Sequence, residues 1–390
     1  MTGSTTLDEV APMKDELVAL RRQLHAAPEL SGKESATAAL VADRLEGWGY
    51  EVERGVGGHG VVARLRAGEG NRAISIRADM DALPIAEATG LPYASTNPGV
   101  MHACGHDGHT TMLLGAAEHI ARTRRFSGTV NLIFQPAEEI GSGALAMIED
   151  GVLERYPCDA IFALHNHPGA PAGSYRMRSG PLMAASDTAT VTVRGRGGHA
   201  SRPHLCIDPV VAASAIVMAL QTVVSRSIDP TQTAVVTVGT IHGGSAVNVI
   251  PSEVTLEISI RSFSREVRAQ LQARLTDLCQ QQAASFGATA EVAFDHGNPV
   301  VLNTPDETAI ALEVVRDVVG AENVAECELI PGSEDFGFFL ERKPGCLLRL
   351  GNGKDSAMLH NPGYDFNDDS LTAGVAMWSR LVERYLQPGA

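Results

Sequence analysis

The sequence is poor in positive charge. Its 31 lysines and arginines stand against 46 aspartates and glutamates, so the formal net charge is -15. Nucleic-acid backbones are bound by clustered basic side chains, and this balance therefore argues against a nucleic-acid partner. Solubility is the simpler explanation of the acidity. The remaining composition, 44% hydrophobic and 20% charged residues, is that of an ordinary soluble globular protein.

Export and membrane signals are also missing, as are paired cysteines. The six cysteines are scattered and form no Cys-x-x-Cys pair, which favours reduced thiols. The N-terminal residues contain no apolar h-region, and the Arg21-Arg22 pair is not followed by an apolar run. No apolar stretch reaches the ~20 residues of a membrane span. We therefore expect a cytoplasmic protein without a membrane partner.

The chain is long enough for two domains, or for one large domain carrying an insertion. Short β-rich runs alternate with helical patterns before residue 185 and after residue 298, which predicts an α/β fold whose sheet has a parallel core. Between them, residues 186–297 follow a β-α-β-β-α-β order, which matches the ferredoxin-like motif. We predict a catalytic domain formed by residues 1–185 and 298–390, with 186–297 inserted as an α+β lid domain.

The densest chemical signal is the octad His102-Ala103-Cys104-Gly105-His106-Asp107-Gly108-His109. Cys104 and His106 lie two residues apart on a glycine-containing loop, so both side chains can turn toward one ion. A thiolate with an imidazole suits Zn, Co or Ni, and imidazole with carboxylate also admits Mn. A single buried cysteine is usually only a core residue. That explanation is weak for a thiol, imidazoles and a carboxylate packed together.

A second patch, Gln135-Pro136-Ala137-Glu138-Glu139, follows a predicted strand at 130–134. Adjacent carboxylates repel each other unless a positive group lies between them. One carboxylate can bind metal while the other takes a proton from an activated water, which is hydrolytic chemistry. The alternative is a solvated helix N-terminus, where two glutamates are favourable in any case.

Five further polar residues are candidates, although each is more simply an ordinary surface or core residue. His165 and His360 lie at element ends, where an α/β site is built. His199, in a glycine-rich loop that lacks the P-loop spacing, can approach a substrate oxygen. Arg261 could hold a substrate carboxylate in bidentate fashion. The fifth candidate is Asn248.

Eight motifs occur in order across nearly the whole chain: RRQLHAAPEL, RADMDALP, HACGHDGH, QPAEE, ALHNHP, GRGGHASRPH, NVIP and GSEDFG. In these the sequence resembles the hippurate hydrolase and N-acyl-amino-acid amidohydrolase branch of the aminoacylase/carboxypeptidase G metallopeptidase family. Plant auxin-conjugate hydrolases are similar. The resemblance implies a di-metal exopeptidase-like catalytic domain with a mixed sheet, and an inserted lid that also mediates dimerisation.

The resemblance also implies roles for individual residues. Glu138 matches the general base, and His199 matches a lid residue that stabilises the tetrahedral intermediate, reaching across a dimer. Asn248 and Arg261 match positions near the substrate carboxylate. Asp79 is not expected to be a ligand, because Asp79-Met80-Asp81 stands where other branches have His-x-Asp. The matched metal ligands are Cys104, His106, Glu139, His165 and His360.

These observations predict a metal-dependent amidohydrolase that cleaves N-acyl amino acids to a carboxylic acid and a free amino acid. The expected cofactors are two divalent ions per subunit, drawn from Mn, Zn, Co or Ni, and the expected assembly is a homodimer or a higher homo-oligomer. A metallo-dipeptidase or carboxypeptidase with the same site is the main alternative. A catalytically silent binding protein is the other, although such a protein would be expected to lack some of these residues. The role of His167 is left open.

Overall fold

The computed structural model describes residues 6–387, which divide into two units. The first contains the described residues up to Leu182, then Leu302–Glu328, and the described residues from Asp335 onward. The second contains Met183–Val301 and Leu329–Glu334. The assignment of 1–185 with 298–390 to a catalytic domain and of 186–297 to a lid stays a prediction. The return of residues 329–334 to the second unit was not predicted.

The first unit is built on a mixed sheet of eight strands within the described residues. Its four central strands are mutually parallel, while the strands toward either edge include antiparallel neighbours. This confirms the predicted α/β class with a parallel core. In spatial order the strands are Glu51–Val56, Gly60–Ala67, Gly128–Gln135, Ala73–Asp79, Ala160–His167, Gly345–Gly351, Tyr175–Met177 and Val324–Glu326.

The central strands are apolar along almost their whole length because helices cover both faces of a parallel sheet. Strand Ala160–His167, for example, is buried at every position before His167. The helix His106–Thr123 packs closely on its neighbours, since a Cβ added at Gly115 would lie 2.6 Å from a Leu17 methyl carbon. The α-helices of this unit are Thr6–Val10, Lys14–Ala26, Ser35–Gly47, His106–Thr123, Gly143–Glu149, Val152–Arg155, Pro305–Val319, Gly337–Leu340 and Leu371–Tyr385.

The sheet topology fixes where a site can form. Strand Ala73–Asp79 has Gly128–Gln135 on one side and Ala160–His167 on the other, and all three run parallel. The chain therefore changes direction across the sheet at this point. Ligands of open α/β sheets bind beside the carboxyl ends of strands at such a switch point. Asp79, Gln135 and His165 all lie at or near the carboxyl ends of these three strands.

The second unit has the β-α-β-β-α-β order that the sequence predicts. Its four-stranded antiparallel sheet places the fourth strand beside the first, then the third, then the second. Helix Arg265–Ser285 begins after the N-cap residue Ser264, whose side chain accepts a hydrogen bond from Val267 N at 3.1 Å. The principal elements are Ala185–Arg194, Pro209–Ser227, Ala234–Gly243, Glu253–Ser262, Arg265–Ser285 and Thr289–His296, with a short pair formed by Gly198–His199 and Val249–Ile250. Two further short strands, Gly180–Met183 and Val301–Asn303, lie where the chain passes between the units.

Helix Pro209–Ser227 is long and apolar enough to cross a membrane by length and composition alone. Only 28% of its apolar window is buried within the protein. The helix packs on its own unit through Ala212, Ile216 and Leu220, which are buried. Its exposed side carries Val210, Val211 and Met218 among polar residues.

Arg21 is a buried charge that links helix Lys14–Ala26 to the segment containing Asp365 and Asp368. Its guanidinium lies 2.7 Å from an Asp365 oxygen, 2.7 Å from Asp368 and 3.7 Å from Asp107. Removing one partner of a buried ionic group typically lowers stability by about 3–5 kcal/mol. We expect Arg21→Met to lower the free energy of unfolding by that amount in urea denaturation.

The neighbouring Arg22 provides the control, because its side chain is 44% exposed and pairs with Asp368 at 2.9 Å. Arg22→Met should change stability by less than about 1 kcal/mol. Burial raises the pKa of Asp107, but the His25 hydrogen bond and nearby charges outweigh burial and hold it below the ordinary value. Stabilisation from a depressed carboxyl pKa is lost as pH falls, so the Arg21→Met deficit should shrink below about pH 4. Equal losses for both variants at neutral pH would contradict this assignment.

Candidate metal centre and active site

The octad loop turns sharply at Gly105 to direct Cys104 and His106 inward. Gly105 has φ +89°, and a Cβ there would lie 2.3 Å from Asn166 Nδ2, so only glycine fits. His106 is the first residue of helix His106–Thr123. The Asn166 amide donates to the Cys104 carbonyl, and Tyr364 Oη donates to Asn166 Oδ1 at 2.9 Å. The loop is thus fixed by contacts from two distant segments.

The five residues predicted as metal ligands converge in the first unit. Candidate ligand atoms of Cys104, His106 and His165 lie within 4.8 Å of one another, and the same holds for Cys104, Glu139 and His360. Cys104 Sγ is 3.4 Å from His165 Nε2, and His360 Nε2 is 3.3 Å from Glu139 Oε2. Cys104 is therefore common to two overlapping groups. The chain segments that supply these residues span positions 104 to 360.

The arrangement leaves buried polar atoms without a protein partner. Among the described residues, His106 Nε2 and Glu139 Oε1 are buried and have no hydrogen-bond partner, although they lie 3.8 Å apart. A buried polar atom without a partner is costly, and a cation between these atoms would remove that cost. This donor set, with sulfur, imidazole and carboxylate, fits a divalent transition metal.

The Nδ1 atoms of His106 and His165 are both engaged, which leaves Nε2 of each ring for a ligand. His106 Nδ1 lies 2.9 Å from the Asp81 carbonyl oxygen, and His165 Nδ1 lies 2.8 Å from the Asn166 carbonyl oxygen. Burial, and then Arg349, lower the pKa of His165, so its ring is neutral as a ligand must be. Burial, and then the Glu139 charge, raise the pKa of the Cys104 thiol. A bound cation would favour the thiolate and so lower that thiol pKa again.

The predicted base lies against the same cluster. Glu138 is 7% exposed, and one of its carboxylate oxygens lies within 4.8 Å of ligand atoms of His106 and Glu139. The turn that carries it begins at Ala137, whose φ is +54°. Glu138 and Glu139 thus share one buried edge, and the solvated helix terminus considered from the sequence is not what the structure contains.

Sequence reasoning missed Asp81, which contacts two cluster residues, His106 and Glu139, and also Ser31. Its side chain lies 3.2 Å from His106 Nδ1, accepts from Ser31 Oγ at 2.6 Å, and accepts from the Glu139 backbone N at 3.0 Å. Burial raises the pKa of Asp81, but these hydrogen bonds outweigh burial and lower it. The sequence signal for Asp81 is its place in the Asp79-Met80-Asp81 triplet, directly after a buried strand.

Asp79 has both carboxylate oxygens occupied by protein groups. Oδ1 lies 2.6 Å from His109 Nδ1, and Oδ2 accepts from Arg77 Nη1 at 2.7 Å. His109 Nε2 in turn accepts from the Asn166 backbone N at 3.0 Å. These contacts support leaving Asp79 out of the ligand set, and they give Asp79 and His109 a supporting position behind it.

The three remaining predicted residues lie in the second unit. His199 pairs with Val249 in the short sheet, its Nδ1 accepts from Ser201 N at 3.1 Å, and Ala200 N donates to the Asn248 carbonyl at 3.0 Å. His199 and Asn248 are thus neighbours. Arg261 lies toward the other end of strand Glu253–Ser262, about 25 Å along the strand from its first residue. Its Nη1 donates to the Ile260 carbonyl at 3.1 Å.

His167, whose role was left open, ends strand Ala160–His167 and is partly buried. Burial, and then Arg349 and Arg176, lower its pKa to about 4, so the ring is neutral at pH 7. It belongs to none of the candidate metal-ligand groups in the described part of the chain. Its backbone carbonyl accepts from Asn352 N at 3.0 Å.

Comparison with known proteins identifies the family. Residues 75–384 match the family described as Peptidase family M20/M25/M40. The chain belongs to this peptidase family. It is 40% identical to a hippurate hydrolase of Campylobacter jejuni over 98% of this chain and 99% of that protein. It is also 40% identical to an N-acetyl-L-cysteine deacetylase of Bacillus subtilis, over 93% of this chain and 86% of that protein.

A solved structure agrees with these sequence relatives. The Bacillus subtilis YXEP protein, described as a dinuclear metal binding peptidase of the M20 family, superimposes with a TM-score of 0.86. It is 34% identical to this chain and covers 96% of it, with 99% of its own chain matched. The protein is therefore an M20-type hydrolase of amide bonds that uses divalent metal ions. This confirms the predicted enzyme class and family.

Proposed function

We propose that this M20-family protein cleaves N-acyl amino acids into a carboxylic acid and a free amino acid. The observation that carries the proposal is the buried cluster of sulfur, imidazole and carboxylate groups around Glu138, with ligand atoms left unpartnered. Two relatives at 40% identity are named for the hydrolysis of N-acyl amino acids. The intact set of candidate residues argues against a catalytically silent binding protein.

The proposed cofactors are two divalent cations per subunit, from Mn, Zn, Co or Ni. Cys104 joins the group with His106 and His165 to the group with Glu139 and His360, and is therefore the candidate shared ligand. The other proposed ligands are His106, Glu139, His165 and His360. When bound, such cations lower the pKa of a coordinated water and polarise a substrate carbonyl.

The protein side chains would then move the protons. Glu138, buried beside His106 and Glu139, takes the proton of the attacking water and returns it to the leaving amine. His199 is proposed to donate to the developing oxyanion, a contact typically worth about 3 kcal/mol in the transition state. Asn248 and Arg261 are proposed to recognise the substrate carboxylate, for which a guanidinium is well suited. Within one chain Asn248 lies near the first residue of strand Glu253–Ser262 and Arg261 near its last, so Asn248 is proposed to act together with His199 on the partner copy.

Two exposed apolar side chains close in sequence to proposed ligands support an apolar acyl group. Ile140 follows the proposed ligand Glu139 and is 65% exposed, and Met358 lies two residues before His360 and is 66% exposed. Exposed apolar side chains next in sequence to site residues are candidates for contact with a ligand. A benzoyl group offers more apolar surface to such side chains than an acetyl group.

A matched substrate panel tests the proposal. Protein stripped of metal and reconstituted in turn with Mn, Zn, Co and Ni would be assayed for glycine release from benzoylglycine, acetylglycine and glycylglycine. We expect both acylglycines to be cleaved, with kcat/KM for benzoylglycine higher by about tenfold or more. Preferential cleavage of glycylglycine would support the peptidase alternative, which the family description favours. No release from any of the three would contradict the proposal.

We also propose that the second unit joins two copies of the chain. Helix Pro209–Ser227 presents Val211, 50% exposed, and Met218, 72% exposed. Strand Ala234–Gly243 lies at an edge of the sheet and presents Val235 and Ile241, 38% and 50% exposed. A closed two-fold dimer would cover the same apolar patch on both copies.

A cytoplasmic location stays a prediction.

Met218→Glu is expected to convert the oligomer to monomer, because a carboxylate would be buried twice in a two-fold interface. Light scattering coupled to size exclusion would measure the mass. Ala273→Glu, at an exposed position of helix Arg265–Ser285, is the matched control and should leave the mass unchanged. If His199 acts on the partner copy, Met218→Glu should also lose turnover. An unchanged oligomer would place the interface elsewhere.

A further inference from the structure

A buried carboxylate outside the proposed ligand set lies directly behind the turn that carries Glu138. Glu34 is fully buried, and its Oε1 accepts hydrogen bonds from Gly32 N at 2.8 Å and from Ala137 N at 2.8 Å. Its Oε2 has no hydrogen-bond partner among the described residues. A carboxylate is expensive to bury, so one kept here without full pairing indicates a specific task.

Ala137 is the residue that Glu34 holds. Its φ of +54° lies in the left-handed region, which residues other than glycine rarely adopt. Such strain persists only where the surrounding structure over-determines the conformation, and it concentrates at functional sites. The contact with Glu34 joins positions 103 residues apart, so it is tertiary rather than part of a local turn.

The backbone on the other side of Glu138 is held in the same manner. Glu139 N donates to Asp81 Oδ2 at 3.0 Å. Buried carboxylates thus bind the N–H groups of the residues immediately before and after Glu138. Both contacts fix the backbone from outside the turn, and they set the direction of two neighbouring carboxylates.

We propose that Glu34 is a positioning residue, which holds Ala137 in the left-handed conformation and thereby aims Glu138 and Glu139 into the cluster. This inference rests on the proposed function of those two residues. Proton transfer requires the base within hydrogen-bond reach of its proton, and a displacement of 1 Å can reduce a rate by about 10²-fold. Glu34 acts through the backbone and touches no reacting atom.

The first experiment compares Glu34→Ala with Glu34→Gln. Alanine removes the acceptor, so we expect kcat to fall by about 10–100-fold with KM little changed. The Mn²⁺ affinity of metal-free protein should fall by about tenfold, as for other residues that orient a ligand. Glutamine keeps an acceptor oxygen, so Glu34→Gln should stay within about threefold of wild type in both measurements.

Glycine at position 137 gives the sharper test, because glycine adopts positive φ without strain. If Glu34 acts by holding that conformation, Glu34→Ala combined with Ala137→Gly should recover most of the lost kcat and Mn²⁺ affinity. Glu29 is the control for a purely structural carboxylate, since it accepts from Ala36 N at 3.0 Å and Thr37 N at 2.8 Å at a nearby helix start. Glu29→Ala should lower thermal stability and leave kcat unchanged.

Several outcomes would overturn the proposal. It fails if Glu34→Ala matches wild type in both measurements, or if glycine at position 137 recovers neither. If Glu34→Ala does not fold, Ala137→Gly and Ala137→Val give the same test with Glu34 intact, because valine disfavours positive φ. Equal kcat and equal Mn²⁺ affinity in these two variants would count against the proposal. If wild type cleaves no panel substrate while the affinity pattern holds, the proposed reaction is wrong and the positioning role stands.

Discussion

Glu138→Gln is expected to lower kcat by about 10²–10⁴-fold, the usual contribution of a positioned general base. Glutamine has nearly the same shape as glutamate but cannot accept the proton of the attacking water. Because Glu138 is the proposed base and not a proposed ligand, the metal content of the variant should equal that of wild type. Steady-state hydrolysis of benzoylglycine, with metal analysis of the same sample, measures both quantities.

Glu149→Gln is the matched control, since Glu149 is exposed at the end of helix Gly143–Glu149 in the same unit. It should leave both quantities unchanged. Turnover of Glu138→Gln near the wild-type rate would remove Glu138 from the role of base. Loss of metal together with loss of turnover would instead make Glu138 a ligand. Its carboxylate lies close enough to His106 and Glu139 to share an ion with them.

Cys104→Ala is expected to lower both the bound metal and kcat/KM. The thiol belongs to two groups of candidate ligands, one with His106 and His165 and one with Glu139 and His360, so its removal weakens both. Changes in residues that only orient a ligand already reduce metal affinity or activity by up to about 10²-fold, so loss of the shared ligand should exceed that. Elemental analysis after desalting would measure the metal retained per chain.

Cys158→Ala is the control for this variant, because Cys158 and Cys104 are equally buried, each 6% exposed. It tests whether the effect comes from losing sulfur at the site or from disturbing the core. Unchanged metal stoichiometry in Cys104→Ala would exclude Cys104 as a ligand. Equal metal loss in both variants would attribute the effect to packing.

The elements that were well predicted are those whose pattern is local. Helix Arg265–Ser285 begins after a serine N-cap and repeats its apolar residues at helical spacing, so its bounds follow from neighbouring residues. The parallel central strands are also recognisable locally, because burial on both faces makes them continuous apolar runs. Strand Glu51–Val56 was not predicted, because it is mostly exposed at the sheet edge and carries no apolar alternation.

The candidate site divides in a similar way. Cys104, His106, Glu138 and Glu139 lie in dense, chemically unusual motifs and could be singled out from the sequence. Their supporting residues could not be found in that way. Asp81 and Glu34 are ordinary acidic residues in the sequence, and only contacts from distant segments give them a task.

The sequence by itself determined which chemical groups the protein can bring to a reaction, because side-chain chemistry and the local apolar pattern are properties of short segments. The tertiary structure decided which of those groups share one buried edge, which buried atoms lack partners, and how the backbone on both sides of Glu138 is held. Those features depend on hydrogen bonds between residues tens to hundreds of positions apart. No periodicity within a single segment encodes them.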